Sequence, residues 1–356
     1  MRDELCGVGL WPARGATRRE VLALALALTG CGADRRPRLN VFNWSSYIAP
    51  ETVPDFEKEF GVRARYGLYE SNEEMLAKVM TGNSGWDIVF PTHSRIQPMI
   101  RNGLLARLDH SRLRNLDNLD PQFRHPFWDP DLNFCVPYMW NGTGIVYNTS
   151  VAAPVSWADL WRSDVQGRVT MLDDAEDVIG ACLLKMGFSF DSTDAAQLAV
   201  ARAQAVAQKK SLRAYINAEV RDQLVSGDVL MAQLWSTTAE SAIRGAAPGK
   251  LAFVYPREGF PVYCDNAAIL RESRHADAAH EFLNYILLPK VNARIAIAAE
   301  TATASSAARA LLPPEIRGSR TLYPDAETMK RAVWPPPLPS AAQRYRDRIW
   351  TEIKSA

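Results

Sequence analysis

Cysteine is scarce in this sequence, with five in 356 residues. Three of them, Cys135, Cys182 and Cys264, are an odd and widely spaced set that gives neither a disulfide framework nor a zinc pattern. Histidine is equally thin: five stand at 93, 110, 125, 275 and 280, without the i, i+4 spacing of a helical metal site. A metalloenzyme is therefore disfavoured, and no cofactor is expected. Charge imbalance is missing as well. The 41 Lys and Arg nearly match the 40 Asp and Glu, and the four Arg and three acids within residues 1–30 leave the remainder neutral. Nucleic-acid binding through a broad basic surface does not fit such a chain. The apolar run from Val21 to Leu28 is too short to span a bilayer.

What is present is apolar substance: 47% of the residues are hydrophobic, and the length is about twice that of a usual domain, so two domains with full cores are expected. The first thirty residues read as a targeting segment. Arg14, Arg18 and Arg19 precede the short apolar run, which has the length of a signal-peptide core. The run ends in Leu28-Thr29-Gly30-Cys31, which resembles a bacterial lipoprotein cleavage box with Cys31 as the lipid-bearing N-terminus. Thr17-Arg18-Arg19 resembles a twin-arginine export motif. Residues 1–30 are thus read as a lipoprotein-type signal peptide, placing the remainder in the periplasm or on the outer face of the cytoplasmic membrane.

From Leu39 onward strand and helix signals alternate, the pattern of parallel βαβ units. A strand over 39–43 is followed by a helix over 51–60, in which Val53, Phe56 and Phe60 share a side and which Gly61 stops. A strand over 62–68 leads to Ser71-Asn72-Glu73-Glu74, a capping box that opens the next helix, ended by Gly82. A third strand over 86–90 precedes a helix containing Ile96, Met99 and Ile100. Parallel strands bring their ends to one edge, where ligands of open α/β sheets bind. Trp44, Tyr47 and Thr92 belong to those ends, and aromatic faces there suit cations, sugars or flat groups.

Residues 136–144 fit a strand crossing between domains, after which a second α/β pattern begins. Ser156 starts a helix, 167–172 is a strand, and Asp173-Asp174-Ala175-Glu176-Asp177 opens a helix over 178–186. Further strands are expected over 229–234, 251–255 and 262–270. Helices follow over 276–287, 290–299 and 340–354, the last with Ser340 as N-cap. The proline-rich stretch 334–339 reads as an extended packing segment.

Many of these residues, in this order, resemble the periplasmic polyamine-binding proteins of ABC importers. The similarity is carried by Phe42-Asn43-Trp44-Ser45-Ser46-Tyr47-Ile48-Ala49-Pro50, Glu70-Ser71-Asn72-Glu73, Val136-Pro137-Tyr138-Met139-Trp140, Leu172-Asp173-Asp174-Ala175, Pro256-Arg257-Glu258-Gly259, Phe282-Leu283-Asn284-Tyr285 and Leu322-Tyr323-Pro324-Asp325-Ala326-Glu327. The resemblance implies an α/β, two-lobe periplasmic binding protein fold of type II, its lobes joined by crossing strands and closing on ligand. Residues 38–138 plus 265–305 would form one lobe, and 139–264 plus 306–356 the other. It also implies a monomer that hands a putrescine- or spermidine-like cation to ABC permease subunits, touches the membrane only through its lipid anchor, and has no catalytic residues.

A polyamine needs carboxylates for its ammonium groups and aromatic walls for its methylenes. Carried over by position, the ligand-binding residues are Trp44, Ser45, Tyr47, Thr92, Asp174, Asp177, Asn217, Trp235, Tyr263 and Asp265. Asp174 and Asp177 also suit plain helix capping, and Trp235 could be core. Asp265 has the least local excuse and ranks as the best ammonium partner. The chain departs from the family at Ser46 and Thr238, where relatives carry acids, and at Thr301 and Pro335, where they carry Tyr and Gln. Fewer carboxylates point to a ligand charged at one end only. His93, beside Thr92, is read as an exposed loop histidine, the alternative being a contribution to a different ligand specificity. The rival readings are another cationic amine or amino acid derivative, a ligand sensor, and, least favoured, a hydrolase using Asp174 and Asp177.

Overall fold

Strand β1 (Arg38–Trp44) buries Leu39, Val41 and Phe42, as expected of a parallel strand covered on both faces. A computed structural model describes residues 36–356, within which Arg38–Ala356 makes up one compact unit. The signal peptide, the twin-arginine motif and Cys31 lie outside the described residues. Helix α1 (Thr52–Phe60) stops at Gly61, whose φ of 64° lies in the left-handed region that glycine tolerates. Strand β2 (Arg63–Tyr69) pairs in parallel with β1.

The Ser71 hydroxyl accepts from the Glu74 N–H at 3.1 Å and opens helix α2 (Asn72–Val79). The reciprocal half of the box is displaced: Glu74 reaches the Glu70 N–H at 3.0 Å. Strand β3 (Ile88–Val89) is shorter than expected and parallel to β1. Thr92 then leads into helix α3 (His93–Arg101).

The crossing strand is long. Strand β4 (Cys135–Asn148) is buried along nearly its whole length. Beyond it come β5 (Val169–Met171), α4 (Ala175–Lys185), α5 (Ala195–Gln208), β6 (Leu212–Tyr215), α6 (Val220–Ser226), β7 (Met231–Trp235), α7 (Ser236–Gly245) and β8 (Leu251–Val254). The chain then returns through β9 (Phe260–Ile269), which pairs antiparallel with β4, the register shifting between Pro137 and Met139. Helices α8 (Ala276–Ile286) and α9 (Pro289–Ala298) follow, then β10 (Ala302–Thr303), β11 (Ala332–Val333) and α10 (Ser340–Ser355).

The strand order is β2-β1-β3-β9-β4-β7-β5-β6, with β8 and β10 added to β4 and β11 to β9. Antiparallel β4 and β9 therefore stand between two parallel flanks, β2-β1-β3 and β7-β5-β6. That arrangement turns the ends of β1, β3, β5 and β7 toward the middle. Ser340 is not the cap of α10: Pro339 holds that position, with extended backbone, and Ser340 is the first helical residue. The ψ of 140° at Pro339 is extended and not helical, so the helix begins at the residue after it. Among the described residues, no helix is long and apolar enough to cross a membrane.

Candidate functional site

The strand ends of the first flank are tied by shared acceptors. Buried Asn43 donates to the Tyr66 hydroxyl at 2.9 Å and accepts from the Trp44 N–H at 2.8 Å, which turns the chain out of β1. The Trp44 indole N–H and the Tyr69 hydroxyl both donate to the Phe90 carbonyl, each at 2.8 Å, and their rings lie 4.7 Å apart. Ser45 donates to the exposed Glu70 carboxylate. Ser46 is exposed and has a φ of 55°, a left-handed turn residue rather than part of a wall. Beyond it Tyr47 points inward, its carbonyl accepting from Tyr138 at 2.8 Å.

Tyr47 ends on Asp265. Its hydroxyl donates to Asp265 Oδ2 at 2.9 Å, while Thr92 donates to Oδ1 at 2.8 Å. Thr92 in turn accepts from Asn72 Nδ2 at 3.0 Å, which commits its one hydroxyl proton to the carboxylate. Asp265 is buried. Burial pushes its carboxyl up to about 6, against the restraining pull of the Thr92 and Tyr47 hydrogen bonds.

A second carboxylate group forms where α4 begins. Asp174 caps the helix, accepting from the Asp177 N–H at 2.9 Å. Buried Asp177 accepts from the Trp235 indole at 3.0 Å and from the Tyr263 hydroxyl at 3.3 Å. Burial, then the neighbouring Asp174, pushes its carboxyl well above the ordinary range. Glu176, half-buried between them, is pushed up to about 7 by burial, with Arg95 pulling the other way. Tyr263 and Asp265, two residues apart on β9, face the same side, so one strand serves both carboxylate groups.

The structure thus brings together Tyr47, Thr92 and Asp265 in one cluster and Asp174, Asp177, Trp235 and Tyr263 in another. Trp44 packs beside the first. Ser45 and Asn217 stand at the edges: Asn217 accepts from the Asp173 N–H at 3.0 Å and touches no carboxylate of the site. Sequence reasoning missed Glu176, although it lies in the acidic run that opens α4, and Arg95, which nothing in the sequence distinguishes from other surface arginines.

His93 requires a correction. It is fully buried, because the segment after β11 folds back over it. Its Nδ1 accepts from the Cys264 N–H at 3.3 Å, leaving Nε2 to donate to the Pro335 carbonyl at 3.0 Å. Trp128 and Trp334 stand 4.9 and 5.6 Å from the ring. Burial lowers its pKa to about 4 and keeps it neutral. Thr301 is buried too and donates to the Trp140 carbonyl at 3.3 Å.

Residues 51–317 match the family described as bacterial extracellular solute-binding protein. The chain belongs to that family. A spermidine/putrescine-binding periplasmic protein of Escherichia coli is 32% identical over 329 residues, covering 91% of this chain and 94% of that protein. A putrescine-binding periplasmic protein from the same organism is 32% identical over 356 residues, covering 94% and 95%. The solved substrate-binding protein of a spermidine/putrescine ABC transporter from Streptococcus pneumoniae superposes with a TM-score of 0.79 at 28% identity, covering 90% of this chain and 99% of that one. The family's two-lobe type II fold is the one adopted here, with β4 and β9 as the crossing strands. Solute binding outside the cytoplasm is the family's role, and this site is built from binding groups.

Proposed function

We propose that this protein captures a polyamine-like cation between its lobes and delivers it to an ABC permease. One observation carries the reading: Asp177 and Asp265 are both buried and held only by neutral donors. The groups acting on Asp265 are Thr92 and Tyr47. On Asp177 they are led by the carboxylate of Asp174, with Trp235 donating a hydrogen bond. No described cation balances either, and a buried carboxylate without one is costly. A ligand ammonium at each would supply the missing charge.

Two such carboxylates favour a doubly charged ligand over the singly charged one that the sequence departures suggest. Trp44, Tyr47, Trp235 and Tyr263 would flank the methylene chain. Thr92 orients Asp265, Asp174 adds negative potential, and Ser45 and Asn217 act from the edge. The lobes are read as 38–138 plus 265–305 and 139–264 plus 306–356, a division that the register shift beside Met139 supports. Contacts from both lobes to one ligand give the differential affinity that closes them.

Cys31 is the proposed lipid anchor, with the working protein a monomer in the periplasm or on the outer face of the cytoplasmic membrane. A catalytic role is not part of this reading: Asp174 caps the N–H of Asp177 at 2.9 Å on one helix start, whereas hydrolytic carboxylates flank a bond from opposite sides. A thermal-shift screen over diamines, polyamines, amino acids, sugars and inorganic anions tests the function. At one hundred times its dissociation constant a ligand stabilises by about 2.7 kcal/mol, and amines alone are expected to do so. A shift with a sugar or an anion and none with any amine would overturn it.

A further inference from the structure

Asn72 stands at the first position of α2, immediately after the Ser71 cap. Asparagine is favoured at the cap itself and has no capping to do one residue later. With Ser71 already accepting from the Glu74 N–H, the helix start gives no reason for an amide here. The side chain turns instead to Thr92, just beyond β3, and meets it twice. Asn72 Oδ1 accepts from the Thr92 N–H at 3.2 Å, and Nδ2 donates to Thr92 Oγ1 at 3.0 Å. The backbone N–H can only donate, so it fixes which end of the amide faces it. The NH2 group must then face the hydroxyl, whose own proton is left with one acceptor, Asp265 Oδ1 at 2.8 Å. The backbone around this contact is held as well. Thr92 and Asp265 form an antiparallel bridge, and the Asn266 N–H donates to the Pro91 carbonyl at 2.9 Å. What these bonds leave free is rotation of the Thr92 hydroxyl, and Asn72 removes that freedom. Tyr47 donates to the other oxygen of Asp265 at 2.9 Å, so each oxygen holds one donor and keeps a lone pair for a ligand ammonium.

We propose that Asn72 is a positioning residue of the amine site, acting through Thr92 to hold a hydroxyl donor on Asp265 and so keep that carboxylate a ready acceptor for a ligand ammonium. This rests on the amine reading above. Asn72 need not touch the ligand. A hydrogen bond donated to a carboxylate favours its ionised form, and Thr92 is the first of the two groups that oppose the effect of burial on Asp265. The other titratable groups around this carboxyl are quiet. Tyr47, Tyr69, Tyr138 and Cys264 are held neutral by burial, and His93, bonded to the Cys264 N–H, is neutral above about pH 4. On α2 and α3, the charged Glu73 and Arg95 pair with each other at 2.8 Å.

Isothermal titration of 1,4-diaminobutane into the wild type, Asn72→Ala, Thr92→Val and the double variant tests it. At neutral pH, Asn72→Ala binds about three- to tenfold more weakly and Thr92→Val about tenfold or more. The double variant binds no worse than Thr92→Val, because the amide has nothing left to orient. Asp265 contributes a fall in affinity below about pH 6, and in Asn72→Ala that step moves upward; a residue that only shaped the loop would weaken binding without moving it. Asn72→Asp keeps an acceptor for the Thr92 N–H but has no donor for its hydroxyl, and it serves the same cycle if the alanine variant does not fold. The part of its effect carried by Thr92 then disappears in Thr92→Val. Additive losses in the double variant, or an unmoved pH step, overturn the role of Asn72 while leaving the amine reading intact. Absence of diamine binding by the wild type overturns both.

Discussion

Replacing Asp265 with Asn separates the cost of a buried carboxylate from its use. In the folded chain this carboxyl sits at about 6 against an ordinary 3.8. At about 1.4 kcal/mol per tenfold change, ionising it costs the folded state about 3 kcal/mol. The sign follows from proton linkage: the folded state holds the proton more tightly, so the contribution to stability is full below about pH 3.8 and is lost as pH rises through about 6. Asn has no such slope. Its amide oxygen can still accept from Thr92 and its NH2 can donate to Tyr47, so the hydrogen bonds survive with one reversed. Unliganded Asp265→Asn is therefore expected to equal or exceed the wild type by about 1–3 kcal/mol at pH 7.5 in urea melts, with the advantage gone at pH 4. Amine affinity moves the other way. An ammonium left without its carboxylate in a buried site loses several kilocalories, so the dissociation constant should rise by a factor on the order of 100. A variant clearly less stable than wild type at pH 7.5, or one whose amine affinity is unchanged, would refute the reasoning.

Trp235→Phe keeps the aromatic wall but removes the indole donor 3.0 Å from Asp177; titration should show diamine binding weakened about tenfold, with stability within about 1 kcal/mol. His93 acts on stability in the opposite sense to Asp265. Its pKa is lowered from 6.5 to about 4, so its contribution is present above about pH 6.5 and lost as pH falls through about 4. His93→Gln should flatten the acid limb of urea stability measured from pH 6.5 to pH 4, and an unchanged limb would contradict the buried neutral ring. Amine binding should release protons near pH 6, since Asp265 at about 6 and Glu176 at about 7 are partly protonated there; calorimetry in buffers of different ionisation enthalpy would reveal it, and buffer-independent heats would count against it. Gly180→Ala places a methyl against the Phe190 ring and should destabilise by about 1–3 kcal/mol in denaturant melts.

The alternation of strands and helices from β1 to α3 is legible because local signals agree there: Gly61 stops a helix, Ser71 opens the next, and apolar periodicity marks the strands between. The long strands β4 and β9 announce themselves by the same means. The stretch from 187 to 228 does not. Helix α5 is largely alanine, a residue that fits core and surface alike and leaves no stripe to read, and β6 is four residues with little burial. Position within the site divides the same way. Trp44, Tyr47 and Asp177 stand at or just beyond element ends that the sequence pattern locates, and Asp265 lies within the strand expected over 262–270. His93 depends on what comes to face it from far along the chain: the Pro335 carbonyl lies 242 residues beyond it. Ser46 shows the reverse case, a family departure whose exposure and left-handed turn take it out of the wall.

The central claim is that two buried carboxylates, Asp177 and Asp265, hold the ends of one cation. A crystal structure of the protein with 1,4-diaminobutane tests it most directly. The account predicts one ammonium nitrogen within about 2.7–3.2 Å of a carboxylate oxygen of Asp265 and the other at the same range from Asp177, with the methylenes against Trp235 and Tyr263. A diamine bound elsewhere, or lying in the cleft with neither carboxylate in reach, would contradict it.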